Sequence, residues 1–200
     1  RKIEEKIEGN AKLAAFKSQL RLDMTRDGLR IQIVDEQNRP MFDAGSAQVK
    51  DYMRDLLRDI GKVLNDVPNR LTMSGHTDSR PYGNGERGYS NWELSADRAN
   101  ASRRELLAGG LAENKIVRVV GLAAVVPFDP ADPAAPVNRR ISIIVMNKDA
   151  EQRLLKGDQL ESGAAADPPE ESRTAAGPKM APGAGEPIGR IVPKRNQEPQ

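Results

Sequence analysis

The 200-residue chain carries 31 Lys and Arg against 29 Asp and Glu, for a net charge of +2, with 38% hydrophobic residues and no cysteine. That balance leaves no basic footprint for nucleic acid, and the lack of thiols excludes disulfides, zinc–thiolate sites and thiol catalysis. The length fits one ordinary domain with tails, the low hydrophobic content implies that part of the chain stays unfolded, and no apolar run reaches membrane-spanning length. Because the chain starts at Arg1 without a signal peptide, it is expected to be a piece of a longer protein, with any membrane anchor upstream.

Arg1 to Met24 is predicted to be an amphipathic helix, with Ile3, Ile7, Leu13, Phe16 and Leu20 near helical spacing and Gly9-Asn10 weakening its middle. It is either a surface helix packed on the domain or a connecting segment that also packs against a partner copy. Gly28 to Asp35 alternates as a strand with Leu29, Ile31 and Ile33 on one face. Asp35 to Gly45 is a loop containing Pro40 and Met41-Phe42-Asp43. Ser46 is the expected cap of a helix that runs to about Asn65, with Val49, Met53, Leu56, Leu57, Ile60, Val63 and Leu64 as its apolar stripe, before Pro68.

A strand from Arg70 to Gly75 ends in His76-Thr77-Asp78. A loop with Pro81, Gly83, Gly85 and Gly88 leads to a helix that opens on a capping box, Ser90 with Glu93, and closes at Gly109-Gly110. On that helix Trp92, Ala96, Ala99 and Leu106 form the expected core stripe, and Asn91, Leu94, Ser95 and Arg98 form a polar one. A strand from Lys115 to Gly121, a proline-broken loop from Leu122 to Asn138 and an Ile-rich strand from Arg140 to Met146 complete the fold. A short helix is expected over Ala150 to Leu160, and disorder over Glu161 to Gln200.

The expected class is α/β, an α+β sandwich: a mixed four-stranded sheet in β-α-β-α-β-β order, helices on one face, preceded by an N-terminal helix. The expected division is a linker helix over 1–24, a domain over 25–150 and a Pro/Gly/Ala-rich tail over 151–200.

The chemistry concentrates where Asp78 ends a strand and Arg98 projects from the next helix. Fixed charges of both signs, with a helix N-terminus near, match a small zwitterion: ammonium to Asp78, carboxylate to Arg98 and the helix start. The plain alternative is a surface ion pair worth little. His76 with Asp78 makes a poor metal site, and no second ligand cluster or nucleophile elbow is visible. The glycines of the loop fit no nucleotide-binding pattern. No cofactor and no metal are expected. Of Arg139 and Arg140, either the pair lines the Arg98 pocket or one arginine caps the sheet edge.

Gly75-His76-Thr77-Asp78, Asn91, Leu94-Ser95, Arg98-Ala99 and Asn138-Arg139-Arg140 before an Ile-rich strand together resemble the OmpA-like peptidoglycan-binding domain over about Gly28 to Met146. Within that superfamily, Ser90-Asn91-Trp92-Glu93-Leu94-Ser95 and Met41-Phe42-Asp43-Ala44-Gly45-Ser46 are similar to the MotB family, the B subunits of flagellar motor stators. The resemblance implies a non-catalytic periplasmic domain of a single-pass inner-membrane protein. Such a domain grips the diaminopimelate of the peptidoglycan stem peptide and holds the stator to the cell wall for torque and motility. It places the key acid on Asp78 and the key base on Arg98, with Thr77, Asn91 and Leu94 as supporting positions. Phe42 and Asp43 match a pocket-lining pair, and Arg139 or Arg140 the terminal basic pair. The implied partners are peptidoglycan, a second copy of the chain, the MotA subunits through a membrane segment not in this chain, and the flagellar P-ring. Leu122-Ala123-Ala124 departs from the family's glycine-glutamate pattern. The alternatives are a general outer-membrane tether to the wall and a peptidoglycan hydrolase, although no catalytic acid pair stands out.

Overall fold

The computed structural model of the chain describes residues 2–82 and 88–161. Helices α1 (Lys2–Glu8) and α2 (Ala11–Ala14) precede a hairpin of β1 (Leu20–Thr25) and β2 (Gly28–Val34). There follow α3 (Asp51–Asn65), β3 (Leu71–His76), α4 (Asn91–Ala108), β4 (Ile116–Gly121), β5 (Arg140–Met146) and α5 (Lys148–Glu161). The sheet order is β1-β2-β5-β3-β4, with β3 and β4 parallel and the other neighbours antiparallel.

The mixed sheet with its helices is the expected class, with five strands where four were predicted. The extra strand comes from the stretch expected to be one helix from Arg1 to Met24. Asn10 stops that helix and restarts it, its Oδ1 accepting the Lys12 N–H at 3.0 Å. Beyond Ala14, the alternation of Leu20, Leu22 and Met24 with Arg21 and Asp23 pairs residue for residue with β2. Ile3, Ile7 and Leu13 are buried in the same core as α3, so α1 and α2 pack on the domain.

That core lies between the helices and one face of the sheet. Leu29, Ile31 and Ile33 of β2, Ile141, Ile143 and Val145 of β5, and Leu71 and Met73 of β3 meet Met53, Leu56, Leu57, Ile60 and Leu64 of α3. Each such side chain contributes about 1.5–3 kcal/mol by leaving water. Helix α3 starts later than expected. Lys50 is its N-cap without a side-chain hydrogen bond, while Ser46 Oγ accepts from Gln48 N and Phe42 bridges Val49. The segment 42–49 is thereby folded back as a small wall ahead of the helix.

Helix α4 opens on the expected capping box and ends at Gly109. Its buried face differs from the expected one: Leu94, Ser95, Arg98, Ala99, Ser102 and Leu106 face inward, and Trp92 is 53% exposed. Small residues decide this, because they let the helix lie almost on the sheet. A Cβ on Gly75 would stand 2.0 Å from the Ser95 carbonyl oxygen. Against α3 the approach is as close: a Cβ on Gly61 would meet the Leu106 carbonyl oxygen at 2.3 Å.

Residues 151–161, assigned to the tail, continue as helix α5, anchored by the Arg70–Glu151 ion pair at 3.2 Å. The expected disorder beyond Glu161 lies outside the described residues. No helix among the described residues is long and apolar enough to cross a membrane.

Candidate functional site

Val34, Arg140 and His76 lie side by side across β2, β5 and β3. The residues just outside them, Asp35, Arg139 and Thr77-Asp78, therefore meet at one end of the sheet. Side chains alternate between faces, which sends Arg139 to the helix side and Arg140 to the other.

On the helix side lies a cavity of about 760 Å³. Asp78, Thr77, Arg98, Asn91, Leu94, Phe42, Asp43 and Arg139 all line it, together with Asp35. Arg140 does not. Its Nε donates to Gln32 Oε1 at 3.0 Å and its Nη2 to the Val126 carbonyl at 2.8 Å, on the far face of the sheet. The assignment of Arg140 to the pocket is corrected accordingly: of the basic pair, only Arg139 reaches it.

Asp78 is 7% exposed. Its ion pair is with Arg139, whose Nη1 donates to Oδ2 at 2.7 Å, not with Arg98. The other carboxylate oxygen accepts the Arg80 N–H at 3.1 Å. Asn91, the first residue of α4, ties the loop after β3 in place by donating to the Arg80 carbonyl at 2.8 Å. Arg98, one turn beyond Leu94, is 6% exposed. Its Nε donates to the Ser46 carbonyl at 2.9 Å, and its guanidinium sits 4.9 Å from the Phe42 ring centre. The folded-back wall 42–49 thus holds the base. The terminal nitrogens of Arg98 make no hydrogen bond among the described residues. Burial pushes its pKa down from the ordinary arginine value, with Asp35 opposing. Asp43 is engaged by an ion pair with Lys50. The Thr77 hydroxyl is buried without a partner among the described residues.

The start of α4 is capped by its own side chains. Ser90 Oγ accepts from Trp92 N at 3.2 Å, and the Glu93 carboxylate accepts from Ser90 N at 2.7 Å.

Asp35 escaped the sequence reading. Its Oδ1 accepts the Met41 N–H at 2.6 Å and its Oδ2 the Arg139 Nε–H at 2.8 Å. Arg139 is strung between two acids, Asp35 and Asp78. Burial raises the Asp35 pKa and the Arg139 hydrogen bond opposes it; for Arg139 burial acts downward, but the two carboxylates carry its pKa upward. The available signal was an acid directly after an alternating strand and before a proline-containing loop.

His76 points to the far face, where its Nε2 lies 3.1 Å from Ser74 Oγ. Burial, aided by the charge of Arg140, pushes its pKa down to about 4.

The family model that matches residues 41–140 is that of the OmpA family. The chain belongs to the OmpA family. Among curated relatives, this OmpA-family domain is similar to motility protein B of Escherichia coli, 58% identical over 153 residues, which is 76% of this chain and 50% of the relative. Motility protein B of Bacillus subtilis is 28% identical over 151 residues, 74% of this chain and 56% of the relative. The chain spans about half the length of the curated relatives it matches.

Solved structures share the fold. A MotB-like protein from Desulfovibrio vulgaris superposes with a TM-score of 0.62 at 16% identity, covering 73% of this chain and 92% of that one. The periplasmic domain of Helicobacter pylori MotB gives 0.58 at 20% identity, covering 76% and 94%. The cell wall anchor of the T6SS from Pseudomonas aeruginosa gives 0.58 at 24% identity, covering 72% and 96%.

Proposed function

We propose that this OmpA-family domain is a non-catalytic anchor that binds peptidoglycan, its cavity gripping the free end of diaminopimelate on the stem peptide. The observation that carries the reading is that Asp78 and Arg98, distant in sequence and opposite in charge, line one cavity. The ligand's ammonium goes to Asp78, sharing that carboxylate with Arg139. Its carboxylate goes to the terminal nitrogens of Arg98, and Thr77 offers its unpaired hydroxyl. Leu94 and Phe42 pack against the methylene chain. Similarity to motility protein B and the OmpA family supports binding without turnover as the chemistry of the cavity.

Similarity to motility protein B supports the wider setting: a periplasmic domain that ties a flagellar stator to the cell wall, with MotA reached through a membrane segment outside this chain. Two charge-assisted contacts of about 1.5–3 kcal/mol each give modest affinity for one stem peptide. An anchor under load needs more, and a homodimer supplies it by placing two sites on one polymer.

Co-sedimentation with diaminopimelate-type sacculi tests the site. Asp78→Asn and Arg98→Ala are each expected to lose about ten- to hundredfold in retention while the folded spectrum persists. Full retention by both variants overturns the reading, and release of soluble wall fragments by the unmodified chain overturns its non-catalytic part.

A further inference from the structure

Strand β1 lies at the edge of the sheet, and among the described residues no strand pairs with its outer side. Its hydrogen-bonding phase follows from the hairpin. The turn of Arg26-Asp27 closes on the Thr25–Gly28 pair, and Val34 N donates to the Gln19 carbonyl at 2.9 Å. Antiparallel pairs alternate between bonded and non-bonded. Thr25, Asp23, Arg21 and Gln19 therefore turn their backbone groups toward β2, and Leu20, Leu22 and Met24 turn theirs outward. Leu20 N is already used, donating to the Phe16 carbonyl. Leu22 and Met24 keep theirs on the open edge, and Met24 is 67% exposed. An edge of this kind, with no proline or bulge and apolar side chains on one side, is a template for another strand.

We infer that the occupant of this edge is the same strand of a second copy, antiparallel about a two-fold axis at Leu22. The sequence Leu20-Arg21-Leu22-Asp23-Met24 complements itself in that register. Leu22 meets Leu22 of the second copy and exchanges both backbone bonds with it. Each Met24 N–H reaches the Leu20 carbonyl opposite. Arg21 of each copy stands across from Asp23 of the other, in the non-bonded positions where side chains come closest. Asp23 already receives Arg30 Nη2 at 2.6 Å, so its carboxylate is held in place for a second guanidinium.

The two adjacent two-fold registers fail on charge. Centring on residue 21 sets Arg21 against Arg21, and centring on residue 23 sets Asp23 against Asp23. Beside the edge runs a groove of about 680 Å³, lined in part by Ile7, Leu13, Leu20 and Leu22, with room for the Leu20, Leu22 and Met24 side chains of the second copy. The inference gives the homodimer of the proposed anchor an interface. It rests on that reading for its purpose only; the register stands on the strand.

The chain has no cysteine, so Leu22→Cys introduces a single thiol. In the two-fold register its Cα lies about 5.5 Å from its counterpart, inside the range a disulfide spans. Arg26→Cys, at the exposed turn, would lie roughly 27 Å from its counterpart, at about 3.4 Å per residue. Mild oxidation of the full chain is expected to yield crosslinked dimer from Leu22→Cys and little from Arg26→Cys. By sedimentation, Arg21→Asp and Asp23→Arg should each weaken self-association roughly tenfold or more. An equimolar mixture of the two should recover it, because every facing pair is again of opposite sign.

The inference is overturned if the unmodified chain stays monomeric at high concentration, if Leu22→Cys crosslinks no faster than Arg26→Cys, or if the mixture associates no better than its parts. A foreign peptide or the chain's own C-terminal segment on this edge would give that last result. None of these measurements contains cell wall, so they stand or fall separately from the Asp78 and Arg98 test.

Discussion

Two largely buried polar clusters sit back to back at the same end of the sheet. On the helix face are Asp35, Arg139, Asp78 and Arg98; on the far face are His76, Ser74, Arg140 and Gln32. Consecutive residues, Arg139 with Arg140 and His76 with Thr77, are dealt to opposite sides by the strand period alone. In the far cluster the charge is satisfied, since Arg140 spends its donors on Gln32, Val126 and Asn138, while Nδ1 of the His76 ring is left without a partner among the described residues. The near cluster faces a cavity and keeps capacity in reserve, in the terminal nitrogens of Arg98 and the hydroxyl of Thr77. Similar burial and similar residue types thus give a structural knot on one face and an open cavity on the other. The difference lies in whether the protein's own groups satisfy the charges.

Substitutions can pull the two clusters apart. Arg140→Ala should have the largest effect on folding, about 3 kcal/mol in urea denaturation, because it leaves Gln32 and the Val126 carbonyl without their buried donor. Sacculus binding by the remaining folded protein should be unchanged.

His76 should make the far cluster acid-sensitive. Its folded pKa, about 4, lies below the 6.5 of the free side chain. The unfolded chain therefore binds the proton first as pH falls. The stabilisation is whole above about pH 6.5 and drains away toward pH 4, by about 3 kcal/mol. Urea midpoints at pH 7 and pH 4.5 measure it, and His76→Gln should remove most of the difference.

On the near face, Asp35→Asn tests the sharing of Arg139. With one acid neutral, Arg139 leans harder on Asp78 and competes with the ligand. Sacculus retention should fall about three- to tenfold, or about 1 kcal/mol. Stability should change by less than about 1 kcal/mol, because burial already disfavours that charge. Smallest of all, Trp92→Ala should shift stability by less than about 0.5 kcal/mol, as expected for a side chain more than half exposed. A core tryptophan would cost several times that.

Much of this architecture was legible from residues. The Ser90–Glu93 box and the glycines at 109 and 110 bounded α4, and the charges of Asp78 and Arg98 marked the cavity, because those signals are local. Three features were not local. Strand β1 was hidden because Leu13, Phe16 and Leu20 continue a helical spacing into a stretch whose alternation becomes decisive only beside β2. The buried face of α4 was read correctly at Ala99 and Leu106 but misread at Trp92, which outweighed Ser95, whose small size matters only once its backbone lies against Gly75. Asp35 was invisible because its role depends on Arg139, 104 residues away.

The glycine at position 61 has a mechanical consequence. The proposed ligand pulls on Arg98, so tension from the wall enters α4. With the backbone of α3 in contact with the Leu106 carbonyl, no side chain lies between the two helices at that point to be compressed or to slide. The load passes from one rigid rod to the next and spreads over the sheet. A methyl group there would stand 2.3 Å from that carbonyl oxygen and wedge the two rods apart, opening the joint through which the load passes.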